Sequence, residues 1–371
     1  MGWVQKANSP HPVNEGGALT KGFKPGYDTV IFALLGNVSG GRNDTLYFYS
    51  PRNNQWGTLD QASNYFTRGA ALALCHPDTL IAFRGVTKRF GKYQISANDW
   101  RGWDYGDFAD DVDSGGSMTR VTIDNNYYIY ALLGKGNPYF YRYSNNSWVQ
   151  MANCSLGVGW GGALATYKSD TIFALVGSGR SNFLRYAGGN WEYKRNIPRG
   201  VHKGGALTFN GRDKLFALTG STYDKKGFYC YDILSDTWFQ KPSIPQPVDG
   251  GGALAYAYDS IFAFVGNGTD YFYRYAEPML SSNSFQATGY NQGRNIVRQI
   301  IESSNQYLLH ITYECHGVIY YSVSTDKGNT WTYPERIDKG KNPCIILDIF
   351  NRPWIAYLKG YDIYCSILTN T

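Results

Sequence analysis

Charge is scarce in this chain. Only 17% of its 371 residues are Asp, Glu, Lys or Arg, and methionine occurs four times. No run of eighteen apolar residues is present, which excludes a membrane-spanning helix of ordinary length. No long stretch repeats apolar residues at i, i+3, i+4 and i+7, so helix is not the main element. The 35 basic and 29 acidic residues leave a net charge of +6, but the cations are scattered without a run or stripe, which speaks against a nucleic-acid interface. Six cysteines occur without a CxxC pair, so neither a zinc site nor a redox dithiol is indicated, and most read as small buried residues. Met1-Gly2 leads straight into strand-like residues with no secretory signal, while 32 tyrosines and the low charge point to an exported or cell-surface protein.

What is abundant is glycine, at 43 residues, and aromatics, at 16%. They recur in a fixed order. The phrase GGAL stands at Gly16, Gly161, Gly204 and Gly251, with GAAL at Gly69 and GGSM at Gly115. Each is followed by an apolar run ending in glycine, such as DTVIFALLG from Asp28 and DTIFALVG from Asp170. A tyrosine-rich segment comes next, such as YFYRYS from Tyr139, and one aromatic closes the unit: Trp56, Trp100, Trp148, Trp191, Trp238 and Phe285. Each unit thus holds four short β-prone segments separated by Gly, Asn, Asp and Ser. The second is apolar throughout, as in a strand covered on both faces. Four antiparallel strands in about 40 to 50 residues make one blade of a β-propeller.

From Gly16 to Tyr290 these units resemble kelch-like repeats, with the glycine pair displaced to the first strand and a single glycine after the second. The last eighty residues keep the rhythm with different words. IVRQII, YLLHITYE, VIYYSVS and TWTYPERI make a seventh unit, and PCIILDI, PWIAYLKG and DIYCSIL begin an eighth. Within them Ser324 to Trp331, STDKGNTW, resembles the Asp-box of sialidase-type propellers. The opening WVQKAN matches the fourth-strand phrase WVQMAN at Trp148, so the N-terminus can supply the strand that the eighth unit lacks.

The expected architecture is therefore all-β: one eight-bladed propeller of four-stranded antiparallel blades, closed by the N-terminal strand in the last blade. Residues 1–15 give the fourth strand of blade 8; 16–68, 69–114, 115–160, 161–203, 204–250 and 251–294 are blades 1 to 6; 295–341 is the Asp-box blade 7; and 342–371 gives three strands of blade 8. A six-bladed ring with a separate C-terminal fragment is the alternative layout.

The sialidase resemblance implies arginines gathered on a substrate carboxylate, but Arg120 and Arg298 do not belong to a repeating three-arginine pattern. Asp326 reads as a turn-stabilising group. Copper chemistry of the galactose oxidase type would need paired histidines with tyrosines and a cysteine, which His11, His76, His202, His310 and His316 do not supply. The acidic stretch with Asp107, Asp110, Asp111 and Asp113 lacks the spacing of a calcium loop. No cofactor, metal or catalytic residue is expected. Strand parity sends the loops after the second and fourth strands to one face, and variable loops on a rigid frame are where ligands bind. The expected function is noncatalytic binding of a protein or carbohydrate there, with Trp160, Tyr65, Phe108, Arg199, His202, Tyr290 and Arg294 as contacts. A sialidase-like glycan-cleaving enzyme and a passive building block of a surface assembly are the alternatives.

Overall fold

The computed structural model describes residues 2–36, 44–168, 170–276, 295–301, 306–315, 317–332 and 334–368. Among them are 31 strands and no helix. The strands form eight antiparallel sheets, seven of four strands and one of three, as the repeat count led us to expect. They fall into two compact units, Gly2–Ala276 and Glu277–Thr371.

The first unit is a closed ring of six sheets. Its innermost strands are Gly17–Phe23, Ala71–His76, Ser117–Ile123, Ala163–Tyr167, Ala206–Phe209 and Ala253–Ala257. Each packs beside the next, and Ala253–Ala257 packs beside Gly17–Phe23. The sixth sheet takes its fourth strand from the N-terminus: Trp3–Gln5 lies antiparallel to Phe272–Tyr275, with Trp3 opposite Tyr275. This corrects the expected closure. The N-terminal strand does complete a sheet, but it is the sixth rather than the last, pairing with Phe272–Tyr275. The position read as belonging to Phe285, which lies outside the described residues, is filled by Trp3.

The physical reason is visible in the tryptophans. The indole of Trp56 donates to Ala7 O at 2.9 Å, that of Trp191 to Ala152 O at 3.0 Å, and that of Trp238 to Arg195 O at 2.8 Å, each time to the segment just past the preceding sheet's fourth strand. Trp3 repeats the pattern onto Pro242 O at 2.9 Å. The same hydrogen bond thus recurs at four of the six junctions of the ring, Trp148 Nε1 being buried without a partner among the described residues and Trp100 reaching only Asp60 O at 3.4 Å, and the N-terminal segment both gives and receives it.

The apolar second strands sit between neighbouring sheets. In Thr29–Leu35, Val30, Phe32 and Leu34 enter a core shared with Leu72 and Leu80 of the second sheet, while Ile31, Ala33 and Leu35 enter one shared with Phe262 and Phe264 of the sixth. Alternate side chains feed opposite interfaces, so no polar residue is tolerated. In the third strands, tyrosine hydroxyls lock the following turn: Tyr49 to Asn54 at 2.7 Å, Tyr93 to Asn98 at 2.7 Å and Tyr231 to Asp236 at 2.6 Å. Those turn residues have φ of 54°, 52° and 51°, the left-handed region that Asn and Asp tolerate best.

The second unit contains a four-stranded sheet, Ile296–Ile301, Gln306–Cys315, Val318–Ser324 and Glu335–Lys339, and a three-stranded one, Lys341–Leu347, Pro353–Lys359 and Asp362–Ile367. Ile319, Tyr321, Ile345, Ile355 and Tyr357 form the core between them.

Candidate functional site

Six short turns lead into the innermost strands, and they share one design. Each has an apolar plug, then two residues, then glycine with a small residue: Val13 to Gly17, Phe66 to Ala70, Val112 to Gly116, Val158 to Gly162, Val201 to Gly205 and Val248 to Gly252. The six plugs are fully buried or nearly so. In each turn the last amide donates back to the second residue's carbonyl, as Gly17 N does to Asn14 O at 2.9 Å and Gly205 N to His202 O at 2.8 Å. The first glycine has φ between 79° and 97° in all six, the requirement of a type II turn. At Gly251 a Cβ would strike the backbone carbonyl of Asn14, and at Gly161 that of His202, so the turns are also packed shoulder to shoulder round the axis.

With the backbone fixed this way, the third position of each turn faces a common cup of about 100 Å³ at the end of the axis. It is occupied by Glu15, Arg68, Ser114, Trp160, Lys203 and Gly250. Lys203 Nζ lies 4.1 Å from the centre of the Trp160 ring and 3.0 Å from Glu15 Oε1. Glu15 reaches Lys203 over Gly250, where any side chain would collide with it. Arg68 turns aside to Asp113, with Nε 2.5 Å from Oδ1 and Nη2 3.2 Å from Oδ2. That carboxylate raises the pKa of the guanidinium further above its already high ordinary value. Below the cup the six inner strands enclose an axial cavity of about 570 Å³, lined by Lys21 and Arg120 but by no carboxylate.

The loops after the second strands come to the same face. Lys135 N donates to Ser114 O, Ser178 N to Trp160 O, Ser221 N to Lys203 O and Asn267 N to Gly250 O. This is the face that strand parity assigned.

Of the residues expected to touch a ligand, Trp160 stands in the cup. His202 is the residue before Lys203, its ring Nδ1 3.2 Å from Ser221 Oγ. Arg199 is exposed in the same loop, and Tyr65 lies half-buried with the Arg84 guanidinium 5.8 Å from its ring centre. Phe108 is a correction: it is 3% exposed, packed on Phe83, Tyr141 and Trp148, and plugs an interface between sheets. Tyr290 and Arg294 lie outside the described residues. Glu15, Arg68 and Lys203 were passed over, although the recurring spacing to the glycine pair marks them.

No group of three or more His, Cys, Asp or Glu able to hold a metal ion occurs among the described residues. Two carboxylates of the acidic stretch are engaged by groups outside it: Asp110 meets Lys135 at 2.8 Å, a contact that lowers its pKa, and accepts from Asn137, while Asp113 meets Arg68. Arg120 and Arg298 belong to different units, each laid over a tyrosine, Tyr127 and Tyr307. In the C-terminal unit, Asp326 accepts hydrogen bonds from Thr330 N at 2.7 Å and from Ser324 Oγ at 2.9 Å.

No protein-family profile and no curated protein matches this chain. Solved structures do. The structure of YjhT is similar at a TM-score of 0.51 and 13% identity over 73% of this chain and 95% of that one. A fungal alcohol oxidase in complex with copper gives 0.49 and 12%, over 96% and 85% of the two chains. A chain of a nidogen/laminin complex gives 0.45 and 11%, over 62% and 80%. At that identity the first is a likeness of fold: the chain carries a propeller-like repeat fold.

Proposed function

We propose that the ring is a noncatalytic binding module that takes a protein or glycan ligand at the axial cup and the loops around it. The observation that supports this is the contrast between six turns of one backbone design and the six different side chains they present: an acid, two cations, a hydroxyl, an indole and a bare glycine. Aromatic and cationic groups on a rigid frame supply contact area and directed hydrogen bonds at small entropic cost. A glycan-cleaving reading has less support, since the axial cavity is lined by Arg120 but by no carboxylate that could serve as the general acid.

The test is a glycan-array and displayed-proteome screen with the full chain, followed by variants. Trp160→Ala and Lys203→Ala should each weaken the ligand found, by about 2 kcal/mol for the indole. Lys24→Ala and Tyr27→Ala, in the opposite-face turn between Gly17–Phe23 and Thr29–Leu35, should leave it alone. Loss at Lys24 and Tyr27 with the cup indifferent would refute the assignment.

A further inference from the structure

The three-stranded sheet of the C-terminal unit has an open edge. Among the described residues, Asp362–Ile367 pairs with Pro353–Lys359 on one side and with no strand on the other. All its residues except Ser366 are exposed, with Ile363 77% and Ile367 42% accessible. Protein sheets ordinarily blunt such edges with lysine, proline or a bulge. From Ile363 to Ile367 this strand has none of these and no charge.

One face of the sheet is buried in the unit's core through Ile345, Ile355 and Tyr357. The other is apolar as well. Register places Ile346, Trp354 and Ile367 in one row, Cys344, Ala356 and Cys365 in the next, and Leu358 with Ile363 in a third. This second apolar face runs out to the open edge.

We propose that the edge strand pairs with the same strand of a second copy of this chain, antiparallel about Cys365. Residues directly opposite in an antiparallel pair share a face, so only even registers keep the apolar face continuous. Ile363-Tyr364-Cys365-Ser366-Ile367 is nearly palindromic in character about its centre. Pairing there sets Ile363 of each copy against Ile367 of the other, Tyr364 against Ser366, and Cys365 against itself. The contact is isologous, closes at two copies, and turns two three-stranded sheets into one of six strands. The two Asp362 side chains fall at opposite ends of the seam, so no like charges meet.

The test uses the full chain in sedimentation equilibrium across a concentration series, with mild oxidation by copper-phenanthroline, which takes two electrons and two protons from a pair of thiols to make a disulfide. Cys365 is the exposed cysteine of the six. The expected result is a monomer–dimer equilibrium, a disulfide-linked dimer that Cys365→Ser abolishes, and at least tenfold weaker association for Ile363→Lys, whose exposed position tolerates lysine. A monomer throughout, association beyond two copies, or a dimer that survives Ile363→Lys or does not crosslink through Cys365 would each overturn the proposal. A face-to-face dimer is told apart by Ile346→Lys, on the strand farthest from the edge: loss of association there would overturn the proposal, and edge pairing should leave it unchanged.

Discussion

The indole of Trp3 hydrogen-bonds the carbonyl of Pro242, 239 positions later in the chain, at 2.9 Å. That single contact fixes where the N-terminal strand belongs. It ties the sixth sheet to the fifth, while Ala7, four residues on, receives the indole of Trp56 from the first. The ring is closed by strand pairing within one sheet rather than by contact between two finished ones.

Trp3→Ala should therefore destabilise the ring by about 2 kcal/mol, less than a fully buried indole because Trp3 is partly exposed. Hydrogen exchange locates the effect: amides of Phe272–Tyr275 should lose protection and those of Asp362–Ile367 should not change. The opposite pattern would place the strand in the last sheet.

Gly161→Ala should cost about 3 kcal/mol, combining a φ of 85° with collision against the His202 backbone. Gly189→Ala, at φ 87° but with nothing within 4 Å, isolates the conformational part and should cost about 1 kcal/mol. Equal losses in thermal melts would show that the turns are not in tight contact.

The Glu15–Lys203 pair is about one-third exposed on both sides and should contribute no more than about 1 kcal/mol to stability. Lys203→Met should melt nearly with the wild type while weakening whatever binds the cup. A large drop in the melt would assign the pair a structural role.

His310, 4% exposed, holds Tyr321 at 2.6 Å through Nδ1 and Gln299 at 2.9 Å through Nε2. Burial lowers its pKa. An unfolded histidine protonates near about pH 6.5, so below that value the unfolded chain takes up a proton that the folded one resists. Stability of the C-terminal unit should thus be complete above that pH and decline as pH falls toward the lower folded value. Exchange of the amides in Gln306–Cys315 measures this, and His310→Gln should flatten the slope.

The sequence was most legible where one physical demand recurs. A strand covered on both faces must be apolar throughout, and so each second strand announced itself. A left-handed turn needs Gly, Asn or Asp, and so the strand ends did too. Closure was less legible, because WVQKAN shows that a segment is a fourth strand but not whose. Phe272–Tyr275 and Asp362–Ile367 are both tyrosine-bearing third strands that could receive it, and the choice rests on hydrogen bonds between residues more than two hundred positions apart. The site was legible in part. Trp160 stood out by size, whereas Glu15 and Lys203 matter only through the geometry that brings them together. Phe108 was misassigned for the complementary reason: a large aromatic in a loop is often the plug that holds the loop down.

Of the two residues between the valine or phenylalanine plug and the glycine that follows, the second turns its side chain to the cup, and the hydrogen bond that closes the turn does not use it. Its side chain can be exchanged while the backbone beneath stays as it is, except at Gly250, where a Cβ would meet Glu15. The mouth of the ring is in this sense a rosette of interchangeable pins, and a new ligand preference requires replacing pins rather than rebuilding the lock.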